Sequence, residues 1–260
     1  MLAAAAAQLD LEPLLATFQR EGWVRLGRML TDEGLDALRT RADEIMTAQV
    51  RYPEMFFQRD AESGRYDDLE FGKGWQGPSL AYRKIEKLEL DPRFFQWLSN
   101  PLFGRVARTM IADEVALYRA VLFTKSAAGG TALPWHQDGG IFWGVDRDPT
   151  LQIWTALDDC PVEAGCLEVL PRSHLGGLAT PQGGVIPDGE LARAQAVERA
   201  LALPAVAGEV LLIHNHVWHR SGVNHTGRPR RALSVCLMSA QTRCLRRKRA
   251  PRQFRTVFPG

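Results

Sequence analysis

The sequence has little cysteine and no paired cysteine motif. Its four cysteines, Cys160, Cys166, Cys236 and Cys244, are scattered through the second half of the 260 residues, and no two form a Cys-x-x-Cys pair. Four cysteines are too few for a disulfide framework in a chain of this length. We therefore expect free thiols and a cytoplasmic location.

Long apolar runs and an excess of charge of one sign are also missing. No apolar segment approaches the roughly 18 to 20 residues of a membrane span. The N-terminus, Met1 followed by Ala3 to Ala7, has no basic residues and soon reaches Asp10, so it predicts the start of a helix rather than a secretory signal. A formal net charge of +2 and no recognisable nucleic-acid module argue against a nucleic-acid partner.

The composition, with 45% hydrophobic and 24% charged residues, is typical of a soluble globular protein. Up to about residue 112 the apolar spacing is mainly helical, as at Leu11, Leu14, Leu15 and Phe18. Thr31 is a candidate N-cap for a second helix, and Asp91-Pro92 begins a third. Short strands are predicted at 22–26 and 82–90. Residues 51–78 have no clear period, and their aromatic side chains either cover a substrate pocket or pack on the barrel.

Beyond residue 113 the pattern changes to short apolar segments separated by Gly, Pro and Asp. These predicted strands are 115–123, 151–157, 166–170, 210–213 and 231–238. Such a series is typical of a jelly roll, in which two antiparallel sheets face each other. A loop at 176–187 and a surface helix at 190–203 interrupt it. We predict one domain over 1–260, with a helical part at about 1–112, a jelly-roll core at about 113–240 and a basic segment at 241–260.

Two segments carry metal-binding side chains. In a strand, residues i and i+2 point to the same side, so His136 and Asp138 can reach one ion together. A third ligand must come from elsewhere, and the later segment offers four histidines: His214, His216, His219 and His225. Periodicity alone does not choose among them. Two histidines and one carboxylate on one face of a metal are typical of non-haem Fe(II) oxygenases.

The chain resembles the phytanoyl-CoA dioxygenase family of Fe(II)/2-oxoglutarate oxygenases over most of its length. The resemblance is carried by Trp135-His136-Gln137-Asp138, by Trp154, by the run from Ala164 to His174 and by His219-Arg220-Ser221-Gly222. The run from Ala164 to His174 is similar to the family pattern Asn-Gly-x-Leu-x-Val-x-Pro-Gly-Ser-His. It departs from that pattern at Ala164 and Arg172, and neither departure removes a ligand.

The resemblance implies that His219 is the third ligand, so that His136, Asp138 and His219 are the catalytic residues that hold Fe(II). It places the C5 carboxylate of 2-oxoglutarate on Arg230, whose guanidinium can grip a carboxylate with two parallel hydrogen bonds. Ser221 resembles the hydroxyl partner of that carboxylate, and Trp154 a tryptophan beside the cosubstrate. Lys87 resembles a lysine that also reaches it, with Lys84 as the alternative alignment.

The implied activity is that of a dioxygenase that consumes O2 and 2-oxoglutarate, hydroxylates an unactivated C–H bond of a small organic substrate, and releases succinate and CO2. The carboxylate of Asp138 favours hydroxylation or desaturation, because related halogenases have a small residue there. One alternative is an acyl-CoA 2-hydroxylase. Another is a non-catalytic metal-binding jelly-roll protein, against which Arg230 and Ser221 argue.

A basic cluster near the C-terminus favours the acyl-CoA alternative, because it would suit an anionic substrate. A solvated tail is the competing interpretation. The cluster consists of Arg243, Arg246, Arg247, Lys248, Arg249 and Arg252.

Overall fold

A computed structural model describes residues 1–3, 9–111, 114–127, 129–246 and 251–260. Its helices are α1 (Glu12–Glu21), α2 (Asp32–Met46), α3 (Pro92–Leu98), α4 (Pro101–Ile111) and α5 (Asp188–Arg193). Its strands are β1 (Trp23–Arg28), β2 (Phe56–Arg59), β3 (Tyr82–Glu86), β4 (Val115–Lys125), β5 (Leu133–Gln137), β6 (Leu151–Ala156), β7 (Leu167–Leu170), β8 (Gly184–Val185), β9 (Leu201–Leu203), β10 (Glu209–His214), β11 (Trp218–Ser221), β12 (Arg230–Ser239) and β13 (Thr256–Phe258).

The strands form two sheets whose pairs are all antiparallel within the described ranges. The larger sheet has the order β1-β10-β6-β12-β4-β3-β2, with β13 added beside β4. The smaller sheet has the order β8-β5-β11-β7-β9. Two facing antiparallel sheets with long crossovers are the double-stranded β-helix, or jelly roll, so the predicted fold class is confirmed.

The alternation of side chains along the central strands separates a structural core from a functional interior. On β12, Leu233 and Val235 point outward into a core shared with the helices, whereas Arg230 and Ser234 point inward toward the smaller sheet. Trp154 on β6 also points inward. One face of the larger sheet is therefore covered by helices, and the other lines the interior of the barrel.

Helix α2 covers part of this outer face of the sheet. The side chain of Thr31 accepts a hydrogen bond from the Gly34 amide at 3.2 Å, so it is the N-cap as predicted. Leu38 is fully buried against the sheet. Arg231, which points outward from β12, pairs with Asp158 at 2.8 Å and with Asp43 of α2 at 2.7 Å. The pair with Asp43 joins α2 to the start of β12, next to Arg230.

The structure differs from the sequence expectations in three places. The segment 51–78 contains β2, which pairs with β3 and so brings this stretch into the larger sheet. Strand β3 ends at Glu86 rather than Leu90. The predicted helix at 190–203 is wrong beyond Arg193, where α5 ends, and Leu201–Leu203 is instead a strand beside β7.

The aromatic side chains of 51–78 divide between the two predicted roles. Phe57 packs at 5.0 Å from the Trp75 ring in the core region, whereas Phe56, Tyr66 and Phe71 line the internal cavity. All four cysteines are free thiols. No helix within the described residues is both long and apolar enough to cross a bilayer. The alanines 4–7 and the basic residues 247–249 lie outside the described residues.

Replacing Leu38 with Ala should lower the free energy of unfolding by about 2–5 kcal/mol, because it leaves a cavity between α2 and the sheet. Chemical denaturation followed by circular dichroism measures the change. Thr40→Ala, on the exposed side of the same helix, is the control and should stay within about 0.5 kcal/mol of the parent. Equal effects of the two substitutions would show that α2 is not anchored through Leu38.

Candidate metal and cosubstrate site

Strands β5 and β11 bring two histidines to one point. These neighbouring antiparallel strands place His219 directly opposite His136, with the two imidazole centroids 4.0 Å apart. Asp138 follows two residues after His136 on the same side. One ligand atom from each of His136, Asp138 and His219 can be chosen so that all lie within 4.8 Å of one another. Within the described residues this is the only such group of three or more His, Cys, Asp or Glu side chains.

Each imidazole is oriented by a backbone carbonyl two residues earlier in the chain. Nδ1 of His136 lies 2.9 Å from the Pro134 carbonyl oxygen, and Nδ1 of His219 lies 2.8 Å from the Val217 carbonyl oxygen. A carbonyl only accepts hydrogen bonds, so both Nδ1 atoms carry the proton and donate it. Each Nε2 is then left unprotonated and available to a metal ion.

The carboxylate of Asp138 is held by two donors from the opposite sheet. Arg119 of β4 donates to Oδ2 at 2.9 Å, and Gln152 of β6 donates to the same oxygen at 2.5 Å. Gln152 is fixed in turn by Ser234, whose hydroxyl donates to its side-chain carbonyl at 2.6 Å. Both donors bind Oδ2, the oxygen that also lies 4.0 Å from Nε2 of His219.

The protonation states of these groups suit metal binding. Burial, with a further contribution from His219, lowers the pKa of His136 to about 3, so its imidazole is neutral at physiological pH. Burial alone would raise the pKa of Asp138, but Arg119, the two histidines and the Gln152 hydrogen bond together lower it below its usual range. Asp138 is therefore an anion, and it lies beside the neutral imidazole of His136.

Arg230 lies on β12, in the sheet that faces the histidines. It is only 5% exposed, and its Nη2 donates to the Gly165 carbonyl oxygen at 2.7 Å, while its Nε is buried without a partner. Gly165 has a positive φ of 66°, and a Cβ there would lie 2.3 Å from the Gly222 carbonyl oxygen, so only glycine fits. The unpartnered Nε is a donor with capacity for a ligand carboxylate.

Of the other predicted cosubstrate residues, Ser221 and Trp154 line the same cavity as Arg230 and the three metal-binding side chains. Lys87 does not. It is exposed, has a left-handed backbone (φ 66°) just after β3 ends, and lies outside the cavity lining. The alternative, Lys84, is one of the lining residues and forms an ion pair with Glu86. The structure therefore brings Lys84 to the site in place of Lys87.

The cavity between the sheets has a volume of about 490 Å³, within the range that holds small-molecule ligands. It runs from the histidines past Arg230 to the side chains of β2 and β3. Its mouth carries exposed Phe71 and Phe142 together with Arg246 and Arg252, the two arginines of the basic cluster that line it.

The remaining histidines lie elsewhere. His174 and His214 have ring centroids 4.8 Å apart, next to α1, and His216 pairs with Asp148 at 3.0 Å. His225 is exposed. None of these four lines the cavity. His219 is therefore the one histidine of the later segment that the fold brings to His136 and Asp138.

Sequence reasoning missed Arg119, Gln152 and Lys125, which all line the cavity. Gln152 and Lys125 are buried and Arg119 is half-buried, and each is a polar side chain in a mainly apolar strand, which is a signal that the sequence does contain. Lys125 lies directly opposite Arg230 on the neighbouring strand. Burial, followed by the charge of Arg230, lowers the pKa of Lys125 to about 7.

The donor set fits a ferrous ion. Two imidazoles and one carboxylate gathered on one side of an open cavity are the facial triad of non-haem iron oxygenases, which leaves positions for a bidentate cosubstrate and O2. The fold and these side chains together define the class of an iron-dependent oxygenase built on a jelly roll.

A family model described as phytanoyl-CoA dioxygenase (PhyH) matches residues 18–232, and the chain belongs to this family. It is an Fe(II)/2-oxoglutarate-dependent dioxygenase, with O2 as the second cosubstrate. Among its relatives, phytanoyl-CoA dioxygenase domain-containing protein 1 of Bos taurus is 28% identical, over 87% of this chain and 89% of that protein. L-proline trans-4-hydroxylase of Streptomyces griseoviridis is also 28% identical, over 83% of this chain and 81% of that protein.

Solved structures show the same fold. The epimerase SnoN in complex with Fe3+, alpha ketoglutarate and nogalamycin RO superposes with a TM-score of 0.71 at 20% identity, covering 96% of this chain and 97% of that one. EctD from S. alaskensis with 2-oxoglutarate and 5-hydroxyectoine superposes with a TM-score of 0.70 at 20% identity, covering 90% and 77%.

Replacing Gln152 with Leu should weaken Fe(II) binding by about 10–100-fold, because Asp138 loses a donor that fixes its orientation. Anaerobic calorimetry measures the affinity. Gln49→Leu, the same change at an exposed position, is the control and should bind like the parent. Parent-like affinity in the Gln152 variant would show that Arg119 alone suffices to hold the carboxylate.

Proposed function

We propose that this protein hydroxylates an unactivated C–H bond of a small organic molecule, with His136, Asp138 and His219 as the iron ligands. The observation that carries the proposal is the direct cross-strand pairing of the two histidines beside a carboxylate held by Arg119. These side chains line a cavity whose wall also includes Arg230.

When bound, the iron with O2 and 2-oxoglutarate supplies the oxidising step, and the cosubstrate leaves as succinate and CO2. The protein's own residues hold and orient these partners. Arg230 and Ser221 receive the C5 carboxylate of the cosubstrate, since both are buried and line the same cavity as the metal-binding side chains. Trp154 and Lys84 line the space between. The buried setting of these groups keeps bulk water from the reacting centre.

The carboxylate of Asp138 supports hydroxylation in preference to halogenation, because it fills the coordination position that a halide would need. The names of two relatives indicate how wide the family's substrate range is: one hydroxylates L-proline and another acts on phytanoyl-CoA. A compact substrate fits a cavity of about 490 Å³ better than a long chain does. Arg246 and Arg252 at the mouth favour the second candidate, an acyl-CoA 2-hydroxylase.

We infer that residues 1–260 act as a single domain, because β1, β2 and β3 of the mainly helical part belong to the same sheet as the core strands. A cytoplasmic location is our further proposal, supported by four free thiols and no disulfide among them.

The direct test is succinate release with Fe(II), ascorbate and 2-oxoglutarate over a panel of small acids, amino acids and acyl-CoA thioesters, with mass spectrometry of the organic product. We expect a product heavier by one oxygen atom. Asp138→Ala should abolish its formation, because the iron loses its anionic ligand. A product that has lost two hydrogen atoms would show desaturation instead of hydroxylation. Turnover of the thioesters alone would favour the acyl-CoA candidate.

Replacing Arg230 with Gln should raise the KM for 2-oxoglutarate by about 10-fold or more, because a charge-assisted bidentate contact is lost. Fe(II) affinity should change far less. Arg228→Gln, an exposed arginine two residues earlier, is the matched control and should keep the parent KM. A parent-like KM in the Arg230 variant, with Arg228→Gln also unchanged, would remove Arg230 from this role.

A further inference from the structure

A β-bulge turns an extra arginine into the cavity. Strand β3 pairs Lys84 with Gln58 and Tyr82 with Arg59, so Arg83 between them has no partner residue on β2. In a regular strand, neighbouring side chains point to opposite faces, yet Arg83 and Lys84 both line the cavity. Bulges commonly re-aim side chains next to functional sites. This one adds a guanidinium to the wall.

Arg83 is a buried residue whose guanidinium makes few hydrogen bonds within the described part of the chain. The residue is 9% exposed, and its Nη1 donates to the side-chain oxygen of Gln58 at 2.8 Å. A guanidinium has five N–H donors. Burial lowers the pKa of Arg83 and the negative charge of Asp60 opposes that shift, but the two side chains form no ion pair. Oδ1 of Asp60 instead accepts hydrogen bonds from the amide and hydroxyl of Thr131.

Two other charged side chains inside the cavity wall have paired carboxylates. Lys84 pairs with Glu86, and Arg119 pairs with Asp138. Arg230 is assigned above to the cosubstrate. At the β3 end, Arg83 has no paired carboxylate among the described residues, because Asp60 accepts from the Thr131 amide at 2.9 Å. Lys125 donates its Nζ to the Thr131 carbonyl oxygen at 2.6 Å. A buried cation without a paired anion is costly, so this end of the cavity has an electrostatic preference for one added negative charge.

The surrounding wall defines the rest of the ligand. Phe56 and Leu133 line the cavity with Arg83, and Tyr66 and Phe71 pack edge to face with ring centroids 6.4 Å apart. Phe71 is 67% exposed, so the aromatic wall continues to the solvent. A ligand that fills this end therefore meets one cation and several apolar faces.

From this juxtaposition we propose that Arg83 is a substrate-recognition residue that binds the carboxylate of an organic acid with an apolar body. The planar guanidinium offers paired donors to a carboxylate, and the aromatic wall accepts the hydrocarbon part. A monoanion is preferred to a phosphate dianion because the end of the cavity lacks a single negative charge. The inference deepens the function proposed above and rests on it.

Calorimetry on protein saturated with Fe(II) and 2-oxoglutarate without oxygen tests this. The probes are phenylacetate, hexanoate, phenyl phosphate and the neutral analogue phenylacetamide. Phenylacetate should bind at least about 10-fold more tightly than phenylacetamide, because the neutral analogue leaves a buried cation unpaired. In Arg83→Gln this preference should disappear while phenylacetamide binding is unchanged. Arg83→Lys, which keeps the charge but not the planar fork, should retain part of it.

Arg65→Gln is the matched control, because Arg65 lies in the neighbouring segment, is exposed, pairs with Asp68 and does not line the cavity; it should bind every probe like the parent. The affinity for 2-oxoglutarate, titrated first, should be the same in all variants.

Several results would overturn the inference. A parent-like preference for phenylacetate in Arg83→Gln would exclude Arg83 from recognition. A parallel loss of 2-oxoglutarate affinity would assign Arg83 to the cosubstrate instead. Tighter binding of phenyl phosphate than of phenylacetate would contradict the carboxylate class, as would failure of both carboxylates to bind. Because iron and 2-oxoglutarate binding are measured separately, failure here is distinct from failure of the proposed oxygenase site.

Discussion

The register between β5 and β11 is the constraint on which the site depends. It places His219 opposite His136, and the pairing continues past an irregularity to set Ser221 opposite Leu133. A slip of one residue would turn one imidazole to the other face of the sheet, and the ligand set would be lost. The neighbouring strand β7 holds β11 from its other side, with Val169 opposite His219. The metal-binding geometry is therefore a property of strand pairing rather than of loops.

The two sheets contribute different things to the cavity. The smaller sheet supplies both histidines. The larger sheet supplies Gln152 and Arg119, which donate hydrogen bonds to Asp138, and Arg230, which is proposed to bind the cosubstrate. The outer face of the larger sheet packs on the helices, so the same strands carry the structural core on one side and the polar interior on the other. Arg230 and Arg231 illustrate the division, one pointing into the cavity and the next pairing with α2.

Local pattern was enough for part of this. The i, i+2 spacing predicts that His136 and Asp138 share a face, and the short punctuated strands predict two facing sheets. Residues brought together by long-range register were not accessible: Gln152 is 14 residues from Asp138, and Arg119 is 19 residues from it on another sheet. The choice between Lys84 and Lys87 depends on where β3 ends, and strand ends depend on tertiary pairing. The false helix after Arg193 has the same origin, since pairing with β7 overrode a helical preference.

Each imidazole is hydrogen-bonded to a carbonyl two residues earlier in the chain, and this has a consequence for metal binding. These hydrogen bonds within the protein set the tautomer and ring angle, so metal binding needs little rearrangement of the two rings. Side chains that are already ordered lose less conformational entropy when the metal binds, and this favours affinity. Metal affinity in this protein therefore depends on the backbone at Pro134 and Val217 as well as on the three ligand side chains.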